Sequence, residues 1–350
     1  MRICFVAQDM SIGGISTVIS EVINNWNESD EIYLVLFFNN FDERYNFLRK
    51  KKNLKILFLE KTKTIDFKFF RKFSETINNI CPSVISSHLT CVFYLKILGL
   101  TKKYKTYHTV HSEPSKDLPW VYRCFLNKDF KKGKISLIGC CDYITRKTSS
   151  LYKCKCITIQ NAISTTADCS KDNDCKETRF LYVGRLDKIK NVYLLIEAFE
   201  KADTQNSMLV ICGDGPEYKR ISKRIDACSK KDKIILSGKN SNVVDFYKNA
   251  DILCLISKRE GLPITVLEGI NYGLAFLVTN VGGISSFVKD GFNGVYVETN
   301  SLSATINGIE FYLTNPAKVR NYKCNSLLVK KDIDSKKMAL EYQKVLYEKQ

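Results

Sequence analysis

Residues 2–7 (RICFVA) form a continuous apolar run, the mark of a short strand buried on both faces. The turn SIGG follows, and then ISTVISEVINNW, whose apolar residues recur at helical spacing. Strand, glycine turn and helix in that order open a doubly wound α/β domain. The alternation continues. Strands are expected at 32–38 (IYLVLFF), 54–60 (LKILFLE), 83–88 (SVISSH), 105–112 (KTYHTVHS) and 135–141 (ISLIGCC), with helices over 66–80 and 90–100. Uninterrupted apolar strands separated by helices predict a parallel sheet covered on both faces.

After ITIQNAI (157–163) comes a polar stretch, STTADCSKDNDCKET, which reads as a linker. The pattern then starts again. Strands are expected at 179–185, 208–213, 233–238, 251–257 and 274–280, and helices over 190–202, 216–229, 242–249 and 263–272, with a short one near 284–289. From about 316 the tail reads as helices. The organisation expected is a Rossmann-like domain over 1–165, a second over 176–335, and a C-terminal helix over 336–350 that packs back toward the first.

Composition changes this picture in one respect. With 350 residues, 45% of them apolar, the chain is long enough for two ordinary cores. The net charge of +17 is uneven: residues 1–160 carry 26 Lys/Arg against 14 Asp/Glu, leaving 28 against 23 for the remainder. A net of +12 on the first part invites an acidic partner, whether anionic lipid headgroups, a phosphorylated acceptor or nucleic acid. A lysine-rich solvated surface explains the same number. The 14 cysteines form no disulfide framework; Cys4, Cys212 and Cys254 sit inside apolar runs, and Cys154 with Cys156 is too sparse for zinc. Unpaired thiols point to a reducing, cytoplasmic setting. The apolar run in MRICFVAQD is too short for a signal peptide, and no stretch approaches the ~20 apolar residues of a membrane span, so any membrane contact is expected to be peripheral.

Three segments carry specific chemistry: YVGRLDKIKNVYLLIEAFE (182–200), VICGDGPEYKRI (210–221) and the long segment 257–298, which begins SKREGLPITVLEG. In order and spacing they resemble the donor half of the retaining GT-B glycosyltransferases known as family 4. The Gly13-Gly14 turn, HTVHS and QNAIS extend a looser resemblance into the first half. The resemblance implies an α/β GT-B fold, two tandem Rossmann-like domains facing each other across a cleft. It also implies transfer of a hexose or N-acetylhexosamine from a nucleotide-sugar, with UDP expected, to a saccharide acceptor carried on a lipid diphosphate. The setting implied is bacterial O-antigen or capsule assembly. Neither cofactor nor metal is expected, because two cations would do the electrostatic work.

Those cations are Arg185, ending a strand at the carboxyl edge, and Lys190, where a helix begins. Fixed positive charge there would stabilise the leaving diphosphate most as the glycosidic bond breaks. The resemblance assigns Glu260 to the donor sugar at the reacting face and Glu268 to the ribose hydroxyls. The backbone N–H groups of Gly261, Leu262 and Ile264 would point at the sugar from a loop and helix start. Gly14 lies under the donor phosphate or the acceptor, glycine permitting close approach and positive φ. His111, in TVHS, is implied to contact the sugar at the reaction centre; His108 and His88 are expected to be structural. Ser286, Ala275 and Gly269 depart from residues common in the family, leaving donor preference open. Alternatives at this point are a GT-B nucleotide-sugar 2-epimerase, a basic nucleic-acid-binding protein and a non-catalytic sugar-binding relative.

Overall fold

The computed structural model describes residues 1–62, 66–166, 177–240 and 242–348. The chain divides into two compact units, one comprising Met1–Ser164 with Asp334–Gln350, the other Thr165–Ile333. Residues 167–176 of the expected linker lie outside the described residues.

In the first unit the strands are β1 (Arg2–Ala7), β2 (Glu31–Leu36), β3 (Leu54–Phe58), β4 (Val84–His88), β5 (Lys105–Val110), β6 (Ile135–Gly139) and β7 (Cys156–Thr158). Among the described residues they form one sheet in the order β3-β2-β1-β4-β5-β6-β7, every pairing parallel. β1 is central: Phe5 lies opposite Leu34 on one side and Ser86 on the other. The helix Phe67–Ile80 buries Phe69, Phe73 and Ile77, spaced as one helical stripe. Phe37 meets Phe69, Phe73 and Tyr94 edge-on at 4.8, 5.1 and 5.3 Å, a favoured ring geometry. The helix Ser335–Tyr347 returns to this unit with Met338, Tyr342 and Leu346 buried, and the Tyr107 hydroxyl donates to the Val345 carbonyl at 2.7 Å.

In the second unit the strands are β8 (Thr178–Val183), β9 (Ser207–Cys212), β10 (Ile234–Gly238), β11 (Ile252–Leu255), β12 (Ala275–Thr279) and β13 (Gly294–Val297). Their order is β10-β9-β8-β11-β12-β13, again all parallel. The helix Val192–Lys201 buries Val192, Leu195, Ile196 and Phe199, one apolar stripe against the sheet.

Several elements differ from expectation. The helix expected over 90–100 is two pieces, Cys91–Ile97 and Leu100–Lys103, because Gly99 takes φ 70° and stops the first. The helices Trp120–Lys131 and Asp142–Tyr152 were not anticipated. The first leaves much of its apolar surface exposed, and the second centres its buried stripe on Thr148, so neither shows a clean apolar period. β13 is a short edge strand of four residues.

Candidate active site

Open parallel sheets bind ligands beyond the carboxyl ends of their strands, where the strand order reverses. In the second unit that point lies between β8 and β11. Gly184 to Asn191 follow β8, and an aspartate shapes this loop. Asp187 Oδ1 accepts the N–H groups of Ile189 at 2.8 Å and Lys190 at 3.1 Å. The buried Tyr182 hydroxyl donates to the Arg185 carbonyl at 2.8 Å, and the Lys258 N–H donates to the Ile189 carbonyl at 2.8 Å, joining the loops after β8 and β11. The result is a two-pronged contact across 70 residues of sequence: Lys190 Nζ donates to Glu260 Oε1 at 2.7 Å and Oε2 at 2.9 Å. The Glu260 side chain is only 8% exposed, so this carboxylate depends on its cation. Arg185, on the same loop, is exposed, its Nε 4.0 Å from Asp187.

Two glycines make the loops fit. A Cβ on Gly213 would stand 1.9 Å from the Gly184 carbonyl oxygen, and one on Gly282 would stand 2.3 Å from the Glu260 carbonyl oxygen. Gly282 also takes φ 64°, a region other residues rarely adopt. The Gly283 N–H closes the second contact onto the Gly261 carbonyl at 2.5 Å. The backbone carrying Glu260 is therefore pinned from β12 as well as from β8.

The helix Ile264–Asn271 starts directly after this loop, with Pro263 at its N-terminal boundary. Among the described residues the N–H groups of Gly261, Leu262 and Ile264 find no acceptor; Ile264 is in the open first turn of the helix, and the other two are in the loop before Pro263. One turn along, Glu268 Oε2 accepts from the buried Tyr247 hydroxyl at 2.6 Å, and Tyr247 stacks on Tyr272 with centroids 5.5 Å apart. Burial, and then the Glu268 charge, push the Tyr247 phenol well above its ordinary pKa, so it stays a donor to that carboxylate.

The first unit reverses its order between β1 and β4. Gly14 begins the helix Gly14–Asn24 after β1. Neither Gly13 nor Gly14 takes a left-handed backbone: Gly13 is extended at φ 169°, and a Cβ there would meet nothing within 4 Å. The conformational argument for glycine in this turn therefore does not hold; what remains is open space beside Gly13. His111 follows β5, and its Nε2 lies 2.9 Å from Nδ1 of His88, which ends β4; the rings stack with centroids 5.2 Å apart. His88, expected to be structural, is thus the direct partner of His111. Asp117 organises the other side, its Oδ1 accepting the His111 N–H at 3.0 Å while Oδ2 lies 3.3 Å from His108 Nε2. Burial pushes the His111 imidazole down to about 4, against the opposing pull of Asp117, and holds His88 well below its ordinary value, with His111 and His108 adding to the effect. Both rings are neutral at neutral pH, so one nitrogen of the close pair carries the proton and the other accepts it. Burial also opposes ionisation of Asp117, but its hydrogen bond to His108 and the neighbouring imidazoles keep its carboxyl below the usual range.

Lys190, Glu260 and the donor trio 261, 262 and 264 thus gather at one sheet edge, with Arg185 on the same loop and Glu268 a turn along the helix. Asp187, Tyr247, Gly282, His88 and Asp117 support the two sites and were not singled out for these roles from sequence. Asp187 had a local signal, an aspartate two and three residues before the N–H groups it caps; the others depend on distant packing.

Two units, each a parallel sheet with helices and with its polar groups at the carboxyl edge, define the class: this is the GT-B fold. The crystal structure of Anabaena HepE in complex with UDP and glucose superposes with a TM-score of 0.84 over 99% of both chains, at 13% identity. Residues 167–327 match the family described as glycosyl transferases group 1. The chain is 28% identical over 315 residues, 84% of each chain, to lipopolysaccharide 1,6-galactosyltransferase of Salmonella typhimurium. It is 30% identical over 135 residues to the UDP-Gal:alpha-D-GlcNAc-diphosphoundecaprenol alpha-1,3-galactosyltransferase of Escherichia coli, covering 37% of this chain and 35% of that one. Such partial matches span 32% to 39% of the relatives' own length.

Proposed function

We propose that the protein is a glycosyltransferase of bacterial polysaccharide or lipopolysaccharide assembly. It moves a hexose or N-acetylhexosamine from a UDP-sugar to a lipid-linked saccharide, with retention of anomeric configuration and without a metal. The observation that carries this reading is the Lys190–Glu260 pair, held by clamped loops at the strand-order reversal of a GT-B unit whose sequence matches group 1. The ammonium spends two donors on one carboxylate and keeps a third. A diphosphate arriving beside it would share that cation, freeing Glu260 to accept hydroxyls of the donor sugar.

Negative charge grows on the departing diphosphate as the glycosidic bond breaks. Lys190 and Arg185 then stabilise the transition state more than the ground state. The N–H groups of Gly261, Leu262 and Ile264 hold the donor, and Glu268, oriented by Tyr247, accepts the ribose hydroxyls. Gly14 and His111 of the first unit keep their roles toward donor phosphate and sugar as part of the proposal. Neutral at working pH, His111 would offer a lone pair or a hydrogen bond rather than a charge. The lipid-linked acceptor and peripheral contact with an anionic cytoplasmic membrane surface are supported by the activity for which the Escherichia coli relative is named and by the +12 balance of residues 1–160.

A thermal-shift panel of nucleotide-sugars tests the reading, since a ligand of the native state raises its melting temperature. UDP and one or more UDP-sugars should stabilise the protein, Lys190→Ala should abolish the shift, and chelation with EDTA should leave transfer unchanged. No response to any nucleotide would sink the proposal.

A further inference from the structure

The helix Trp120–Lys131 carries an unusual outer face. Trp120, Val121 and Phe125 are 70%, 61% and 50% exposed, and Cys124 between them is exposed too. Spaced at i, i+1, i+4 and i+5, these residues form one apolar stripe rather than scattered singles, and contiguity is what makes exposed apolar surface informative. Beneath the stripe, ring contacts measured between centroids tie it to neighbouring helices through partly buried Phe93 and Phe70 and the buried Tyr94. Phe125 lies 5.6 Å from Phe93, Phe93 lies 5.8 Å from Tyr94, Tyr94 lies 6.0 Å from Phe70, and Phe70 lies 6.3 Å from the exposed Phe67. The exposed apolar surface itself is the stripe of Trp120, Val121, Cys124 and Phe125, anchored to its neighbours by these rings.

Charge says what fits this stripe. From Lys116 to Lys134 the exposed charges are Lys116, Lys128, Lys131, Lys132 and Lys134. The only carboxylates in that span, Asp117 and Asp129, are buried, Asp117 against His108 and Asp129 against Lys96. Apolar residues lead into a cluster of lysines along the same helix. A tryptophan and a phenylalanine beside unneutralised lysines suit the boundary between headgroups and acyl chains. Among the described residues no helix is long and apolar enough to cross a membrane.

We infer that this face, Trp120, Val121 and Phe125 with Lys128, Lys131 and Lys132, docks the first unit onto an anionic phospholipid bilayer, the rings entering the interface and the lysines meeting the headgroups. The inference deepens the membrane part of the proposed function, and its test uses neither donor nor acceptor.

The chain contains two tryptophans, and Trp26 is buried, so a change in tryptophan emission on docking reports Trp120. The full-length protein is mixed at low salt with vesicles of phosphatidylcholine, alone or with phosphatidylglycerol. Co-sedimentation and a blue shift of emission are expected with phosphatidylglycerol only. Trp120→Ser with Phe125→Ser should weaken vesicle binding at least tenfold while leaving the melting temperature and its nucleotide-induced rise unchanged. Replacing Lys128 or Lys132 by Ala should weaken it roughly fivefold each. Vesicle binding that survives the double serine variant, or that leaves emission unmoved, would assign docking to another surface and overturn the inference. Absence of vesicle binding would overturn it as well, as would a concentration-dependent dimer lost in the serine variant without vesicle binding. The UDP thermal shift stands or falls separately.

Discussion

In both units the strand order reverses beside the first strand, at β1/β4 in one and at β8/β11 in the other. The side chains gathered at the two reversals have opposite character. In the second unit a full-charge pair, Lys190 and Glu260, is fixed by loops that only glycine lets come so close. In the first, two neutral imidazoles stack beside one buried carboxylate, and the glycine turn is roomy. The same backbone plan therefore supports a cation–carboxylate pair in one unit and uncharged imidazoles over a buried carboxylate in the other; loop chemistry decides, not fold.

The largest effect expected from breaking this contrast is on transfer. Lys190→Ala removes the cation and leaves Glu260 buried without it, so kcat with the best UDP-sugar should fall about a hundredfold or more. Steady-state kinetics with the panel's preferred donor checks it.

Acid should strike the first unit instead. The folded pKa values of His111 and His88 lie below the 6.5 of a free imidazole, so the unfolded chain takes up protons first as pH drops. Stability is complete above about 6.5 and is lost as pH falls toward about 4, on the order of 3 kcal/mol for His111. Urea titrations across that window, compared with His111→Phe, should show the slope flattening in the variant.

A smaller effect sharpens the difference between the glycines. Gly213→Ala forces a methyl group against the Gly184 carbonyl and should cost about 1–3 kcal/mol. Gly13→Ala meets open space and should stay within about 0.5 kcal/mol. Melting curves of the two variants make the comparison. At the lower end of the Gly213→Ala range, Tyr247→Phe deletes one hydrogen bond to Glu268 and should cost about 1 kcal/mol, with a weaker UDP-induced rise in melting temperature than wild type.

Most of the architecture could be read from the chain, because buried parallel strands such as RICFVA and MLVICG announce themselves by composition alone. Elements that break the usual rule stayed hidden. Trp120–Lys131 wears apolar residues outward, and Asp142–Tyr152 buries a threonine at the centre of its stripe. Arg185, Lys190, Glu260 and Glu268 could be singled out as candidates because their flanks resemble a family; an E-x7-E spacing alone would not have marked them. The partnerships were not legible. His88 reaches His111 through strand pairing across 23 residues, and Gly282 presses on Glu260 from a different strand. Such contacts follow from sheet order, which periodicity does not encode.

The helix Ser335–Tyr347 closes the first unit with residues made after the whole of the second. During synthesis, Thr165–Ile333 emerges as one unbroken stretch and can complete its sheet while its neighbour still lacks a wall. The first unit must wait for Met338, Tyr342 and Leu346 to leave the ribosome before its surface over Trp26 and Tyr107 is covered. A stop codon just before Ser335 would therefore spoil the first unit rather than the second.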